Sequence, residues 1–286
     1  MSHAALPIGS VPDEIKRVRR EVSPFLEHFS RFGFAAKGVV YVIIGLLAAL
    51  APIGMSSGPT GQGGAARTIL HQPMGWVMLG VIALGTFAFG LFQLMRAIEN
   101  ADNQPDDFKG IFLRIGNGFN ALLQFGLALA AVGMIVGWQP PGSGNDDANA
   151  RSWAAWVMSF PFGRWVVAIV GVSMLIYGLC QIICALRGKL DKRLRWTGAS
   201  DATRKWLRGI SCAGVAGRGA VLGLLGVFLI SAAWHFNANK AHALGGALAT
   251  LARQPYGPAL LCTAALGLIA YGVYDFVLAR YRHIDV

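Results

Sequence analysis

Acidic residues are scarce in this chain: 14 Asp and Glu stand against 25 Lys and Arg in 286 residues, and charges of both signs make up only 14%. A soluble domain carries about a quarter of its residues as charges, so the shortage excludes an ordinary water-soluble globule. Cysteine is rare too. Cys180, Cys184, Cys212 and Cys262 all fall inside apolar stretches, which excludes a disulfide framework. Cys180 and Cys184 share a helix face, but no CxxC or nearby His completes a metal set, so they read as small packing residues. The first 30 residues have no apolar core of a cleavable signal.

Motifs that carry chemistry are absent as well. No GxSxG, HExxH or Gly-rich phosphate loop occurs, and no acidic pair falls within an apolar run. His71, His235 and His242 show no ligand spacing, and His3, His28 and His283 lie outside the apolar runs. The expectation is therefore no catalytic, cofactor or metal site, and a protein that is not an enzyme.

What the chain does have is apolar length. Hydrophobic residues make up 55%, and mean hydropathy is +0.51. Uncharged intervals such as 68–95, 115–145 and 165–186 exceed the ~20 residues that cross a bilayer. Six spans are predicted, at about 34–54, 74–97, 115–137, 162–186, 212–234 and 256–280. Each must be a helix, because backbone groups find no water in lipid. The net charge of +11 resolves into an orientation signal: twenty of the 25 Lys and Arg fall on the side of the chain ends. That bias predicts cytoplasmic termini, anionic headgroups of the cytoplasmic face as a partner, and no nucleic acid. Trp76, Trp138, Trp153, Trp156, Trp165 and Trp234 are predicted at the outer boundary, with Trp196 and Trp206 inside.

The apolar runs repeat. QPMGWVMLGVIALGTFAFGLFQLMRA, FPFGRWVVAIVGVSMLIYGLCQIICA and QPYGPALLCTAALGLIAYGVYDFVLA align without a gap. They share Pro-x-Gly (Pro73/Gly75, Pro161/Gly163, Pro255/Gly257), an aromatic-Gly pair (Phe89-Gly90, Tyr177-Gly178, Tyr271-Gly272) and then Gln93, Gln181 or Asp275. The odd spans repeat too: superposing Gly33 on Gly214 pairs Lys37 with Arg218, Gly38 with Gly219 and Gly45 with Gly226. The third span fits through Gly116, puts Asn120 at the basic position, and has Ala121 and Ala128 for the glycines. The unit is a helical hairpin present three times.

Ahead of each proline runs a short amphipathic stretch (AARTILHQP, RSWAAWVMSFP, GALATLARQP), predicted as a half-helix at the membrane surface. Proline is expected in the first turn of the spanning helix. Residues 1–12 read as disordered, and 13–30 either as a short helix lying on the leaflet or as a merely solvated basic tail. The heptad glycines Gly38/Gly45, Gly171/Gly178 and Gly219/Gly226 read either as close helix packing or as a pore lined by backbone.

These motifs resemble the bacterial domain of unknown function 1206 family, which is similar in having three tandem two-helix repeats. The resemblance implies membrane topology, and with it a bacterial inner-membrane location; it implies no activity or cofactor. The fold is thus an all-α, polytopic membrane protein of six transmembrane helices. Its parts are a tail (1–30), repeats at 31–100, 111–188 and 209–283, and a basic linker at 189–208.

Depth singles out the candidate residues. Gln93 lies 18 residues after Gly75, roughly 27 Å down the helix. Gln93, Gln181 and Asp275 on the even helices should then share a depth with Lys37, Asn120 and Arg218 on the odd ones. Intramembrane ionisable groups are costly unless paired, so one reading is a cluster with Asp275 pairing Arg218 or Lys37. The other is that the cations snorkel to phosphates while Gln and Asp cap helices. The leading expectation is a non-enzymatic structural or partner-binding protein, and the alternative is a small-solute or ion permease. A substrate-sized cavity reaching Lys37, Arg218 and Asp275 would favour transport, and a packed centre would favour the first.

Overall fold

A computed structural model describes residues 13–54, 58–98, 108–138, 146–187 and 200–281. The disorder expected for 1–12, the Pro-rich loop at 140–144, Trp196 and most of the basic linker lie outside the described residues. Nine α-helices are described: α1 (Asp13–Leu50), α2 (Gln62–Leu70), α3 (Gly75–Ile98), α4 (Phe108–Val136), α5 (Asp146–Met158), α6 (Gly163–Leu186), α7 (Asp201–Trp234), α8 (Leu244–Ala252) and α9 (Gly257–Tyr281). No strand occurs among them.

Six helices (α1, α3, α4, α6, α7 and α9) are long and apolar enough to cross a membrane. They run over the stretches read from the sequence, with one correction. Residues 13–30 are not a separate surface helix, because α1 continues unbroken from Asp13 into the first span. The basic linker likewise ends in helix: α7 begins at Asp201, where Ser200 caps it by accepting from Thr203 N–H.

The proline motif is also corrected. Each even span begins at the glycine of Pro-x-Gly, and the proline sits in the turn before it. The carbonyls of Gln72, Phe160 and Gln254 accept from the N–H groups of Gly75 (2.8 Å), Gly163 (2.9 Å) and Gly257 (2.8 Å). Between them Met74, Phe162 and Tyr256 have φ of 59°, 68° and 63°. With ψ of 0° at Phe162, this is a type II turn, proline at its second position and a positive-φ residue at its third. The glycine that follows is obligatory for a separate reason. A Cβ there would strike the carbonyl of Ile69, Val157 or Ala252 at the end of the half-helix. The strained third residue costs of order 1–2 kcal/mol, and in all three repeats its large side chain stands exposed at the cap-side boundary.

The six spans form an arc in the order α4, α3, α1, α9, α7, α6. Each odd span packs antiparallel against the even span of another repeat, and small residues make these seams. A Cβ on Gly38 would lie 2.9 Å from the Gly272 carbonyl, and one on Gly45 2.8 Å from that of Ala265. Between α6 and α7, Gly171 meets the Gly226 carbonyl (2.9 Å) and Gly178 meets that of Gly219. In α4 the same register positions are Ala121 and Ala128, both buried. The heptad glycines therefore serve close packing, and none lines the central space.

The half-helices α2, α5 and α8 pack on one another at the end of the arc opposite the chain termini. Asp146 and Asp147, in the first turn of α5, tie the other two in: Asp146 Oδ2 accepts from Gly63 N–H (2.9 Å) and Asp147 Oδ1 from Ala243 N–H (2.7 Å). Carboxylates thus meet the positive N-terminal ends of helices. Trp76, Trp138, Trp153, Trp156, Trp165 and Trp234 are all exposed around this cap end. Trp206 is exposed near the start of α7.

Candidate functional site

Within the arc lies a cavity of about 740 Å³ lined by all six spans. Lys37, Gln93, Asn120, Gln181, Arg218 and Asp275 all line it. Threefold repetition explains the convergence: one register position on three odd helices and one on three even helices face a common axis.

Asp275 is fully buried, and its Oδ1 holds the Lys37 ammonium at 3.4 Å. Lys37, whose side chain is 16% exposed, also donates to the Tyr271 hydroxyl at 2.9 Å. Of the two cations offered for Asp275, the structure chooses Lys37. Snorkelling is not what this lysine does, since its stem and head are turned inward. Its ammonium lies 5.0 Å from the ring centres of both Phe89 and Tyr271, within cation–π range.

Arg218 packs against the same tyrosine. Its guanidinium carbon lies 4.8 Å from the Tyr271 ring centre and 5.9 Å from that of Tyr41. Its Nε donates to the Tyr41 hydroxyl at 3.4 Å. Tyr41 and Tyr271 meet edge to face at 4.9 Å. The two tyrosines therefore hold the cations in one pocket. No carboxylate of the described residues lies within ion-pair distance of Arg218.

Two acceptors here lack a donor among the described residues: the second oxygen of Asp275, Oδ2, and Gln181 Oε1, both shut off from solvent. A buried acceptor without a donor costs ~1–3 kcal/mol. The site is thus richer in unmet acceptors and in positive charge than a packed structural network would be.

Sequence reading missed the aromatic members. Phe89, Tyr177 and Tyr271 were visible only as a repeat mark, and Tyr41 carried a signal solely in being four residues from Lys37. Cys180 and Cys184, read as packing residues, are exposed and line the cavity. No cluster of three His, Cys, Asp or Glu suited to a metal ion occurs among the described residues.

Comparison with known proteins agrees with the threefold construction. Uncharacterized protein YxxB of Bacillus subtilis (strain 168) is 27% identical over 269 residues, covering 94% of this chain and 96% of that protein. No solved structure matches. A family model matches three times, at residues 32–99, 115–188 and 213–282. Each segment is one hairpin of the arc, and together they take in most of the chain, which belongs to the family described as Domain of Unknown Function (DUF1206).

Proposed function

We propose that the protein is a non-enzymatic, multi-pass protein of the bacterial inner membrane that takes a small ligand into its central cavity, in the manner of a permease. The observation that carries this reading is the cavity itself: about 740 Å³, with Lys37, Arg218 and Asp275 on its wall. Ligand sites occupy roughly 300–1,000 Å³ and combine apolar walls with a few convergent polar groups. Tandem repeats meeting at a polar midmembrane site recur in secondary transporters. The surplus of Lys and Arg on the terminal side supports cytoplasmic termini. The cavity's polar end then lies in the inner leaflet, beside anionic headgroups.

Proteoliposome swelling tests this. Vesicles holding the full chain are placed in isosmotic glycerol, glycerol phosphate, amino acids or salts. Protein-dependent entry of one solute class, lost in Arg218→Gln, is the expected outcome. Impermeability to every solute, together with no measurable binding of any, would leave the structural reading in its place. One observation favours that second reading. Helix α6 sits at the end of the arc and exposes Val166, Ile169, Ile176 and Leu179, a face broad enough for a partner helix.

A further inference from the structure

The cavity has one open wall. Lining residues on α1, α3 and α9 such as Phe34, Phe89 and Tyr274 are buried. On α4 and α6 the lining residues Asn120, Leu123, Tyr177, Cys180 and Cys184 are exposed while also lining the cavity. No seam joins α4 to α6 as one joins every other neighbouring pair of the arc. The opening therefore runs along the length of two lipid-crossing helices and faces sideways, into the acyl region.

The chemistry behind that opening is specific. Two cations and one carboxylate leave the wall with one surplus positive charge. Arg218, without a carboxylate, presents a guanidinium suited to a phosphate or carboxylate. Asp275 Oδ2 and Gln181 Oε1 lack donors among the described residues but are closed to solvent, so a ligand in the cavity reaches neither. A zwitterionic head would set an ammonium beside Lys37 and Arg218. A singly anionic head satisfies the charge. Leu123, Leu127 and Leu222 on the wall suit the first carbons behind it, and the chains remain in the seam.

We infer that the cavity takes a monoanionic amphiphile, admitted laterally between α4 and α6, its anionic group on Arg218. This rests on the cavity being a ligand site, as proposed above. A water-soluble anion with the same head would share the chemistry, so the experiment separates the two sources.

The full chain in detergent is mixed with equimolar phosphatidylglycerol, phosphatidylethanolamine and phosphatidylcholine, and retained lipid is read by native mass spectrometry. Phosphatidylglycerol should be retained about tenfold over the others, which carry the same phosphate but set an ammonium beside the two cations, and Arg218→Gln, which removes the surplus charge, should abolish the preference. Arg218→Lys, which keeps the charge, should keep the fold and weaken retention about threefold. Leu123→Trp with Cys180→Trp should obstruct the lipid while glycerophosphoglycerol, the lipid's singly anionic head without its chains, still binds. Equal retention of the three lipids, or a preference that survives Arg218→Gln, overturns the amphiphile. If glycerophosphoglycerol binds in an Arg218-dependent way without any lipid preference, lateral entry is overturned and the permease reading stands. If neither binds, both fall.

Discussion

Repeats 1 and 3 close their hairpins and repeat 2 does not, although all three carry the same marks. The aromatic of the aromatic-Gly pair shows it: Phe89 is 6% exposed and Tyr271 5%, while Tyr177 is 53% exposed. The glycine opposite shows it again. A Cβ on Gly33 would lie 2.8 Å from Phe89 N, and one on Gly214 would run into the backbone of Ala270 and Tyr271. At Gly116, the same register position in repeat 2, nothing lies within 4 Å. A shared motif therefore provides the means for two helices to approach, but not the approach itself. The odd-to-even seams between repeats form all three times, joining α3 to α4, α6 to α7 and α1 to α9. The contact within a hairpin forms only twice. A ring of six helices with one contact undone is an arc with a door.

The largest effect expected from breaking this comparison falls on the ion pair. Asp275→Asn leaves Lys37 beside Arg218 with no counter-charge and should lower unfolding stability by about 3–5 kcal/mol. Gln181→Leu, at the equivalent place in repeat 2, should cost far less, because no charge is left unpaired. Chemical denaturation in micelles checks both, and equal losses would deny that the repeats differ in kind.

The aromatic pair sharpens it next. Tyr271→Ala empties a packed site between two cations and should cost roughly 3 kcal/mol. Tyr177→Ala, largely exposed, should cost well under 1 kcal/mol. Steric closure gives a smaller contrast. Gly214→Leu forces α7 from α9 and should cost about 1–3 kcal/mol, whereas Gly116→Leu should fall within ~0.5 kcal/mol of the native protein. A large loss at Gly116 in thermal unfolding would mean that the α4–α6 contact is ordinarily made.

The smallest effect concerns the cap, where repeat 2 does hold its neighbours. Burial pushes the Asp146 carboxyl above the usual carboxylate range, and the nearby Asp147 adds to this; the Gly63 N–H and Arg67 act the other way. A folded state that holds its proton more tightly than the unfolded chain gains stability below the ordinary carboxylate pKa of about 3.9. It loses that stability as pH rises through the raised value. Asp146→Asn keeps an acceptor for Gly63 and should flatten this slope, so its thermal midpoint gains on the native protein as pH rises from 4. An unchanged slope would place the pH dependence elsewhere.

Much was legible from residues alone, for reasons that can be named. Lipid admits only helices, so apolar length located the six spans. Repeats with a common register had to set Lys37, Asn120 and Arg218 at one level with Gln93, Gln181 and Asp275. Where reading failed, it failed locally. The prolines at 73, 161 and 255 looked like helix starts, because the sequence does not reveal that Met74, Phe162 and Tyr256 adopt positive φ. The break expected near Ser30 was absent because α1 continues through it.

By itself, then, the sequence determined which segments cross the membrane, that they come in three like pairs, and which polar groups share a depth. Only the tertiary structure decided that Lys37 rather than Arg218 holds Asp275, that both cations gather on two tyrosines, and that α4 and α6 stand apart. Hydropathy and spacing act along one helix at a time. Partner choice and an open seam depend on how close two backbones come, and that distance is fixed by all six helices packing at once.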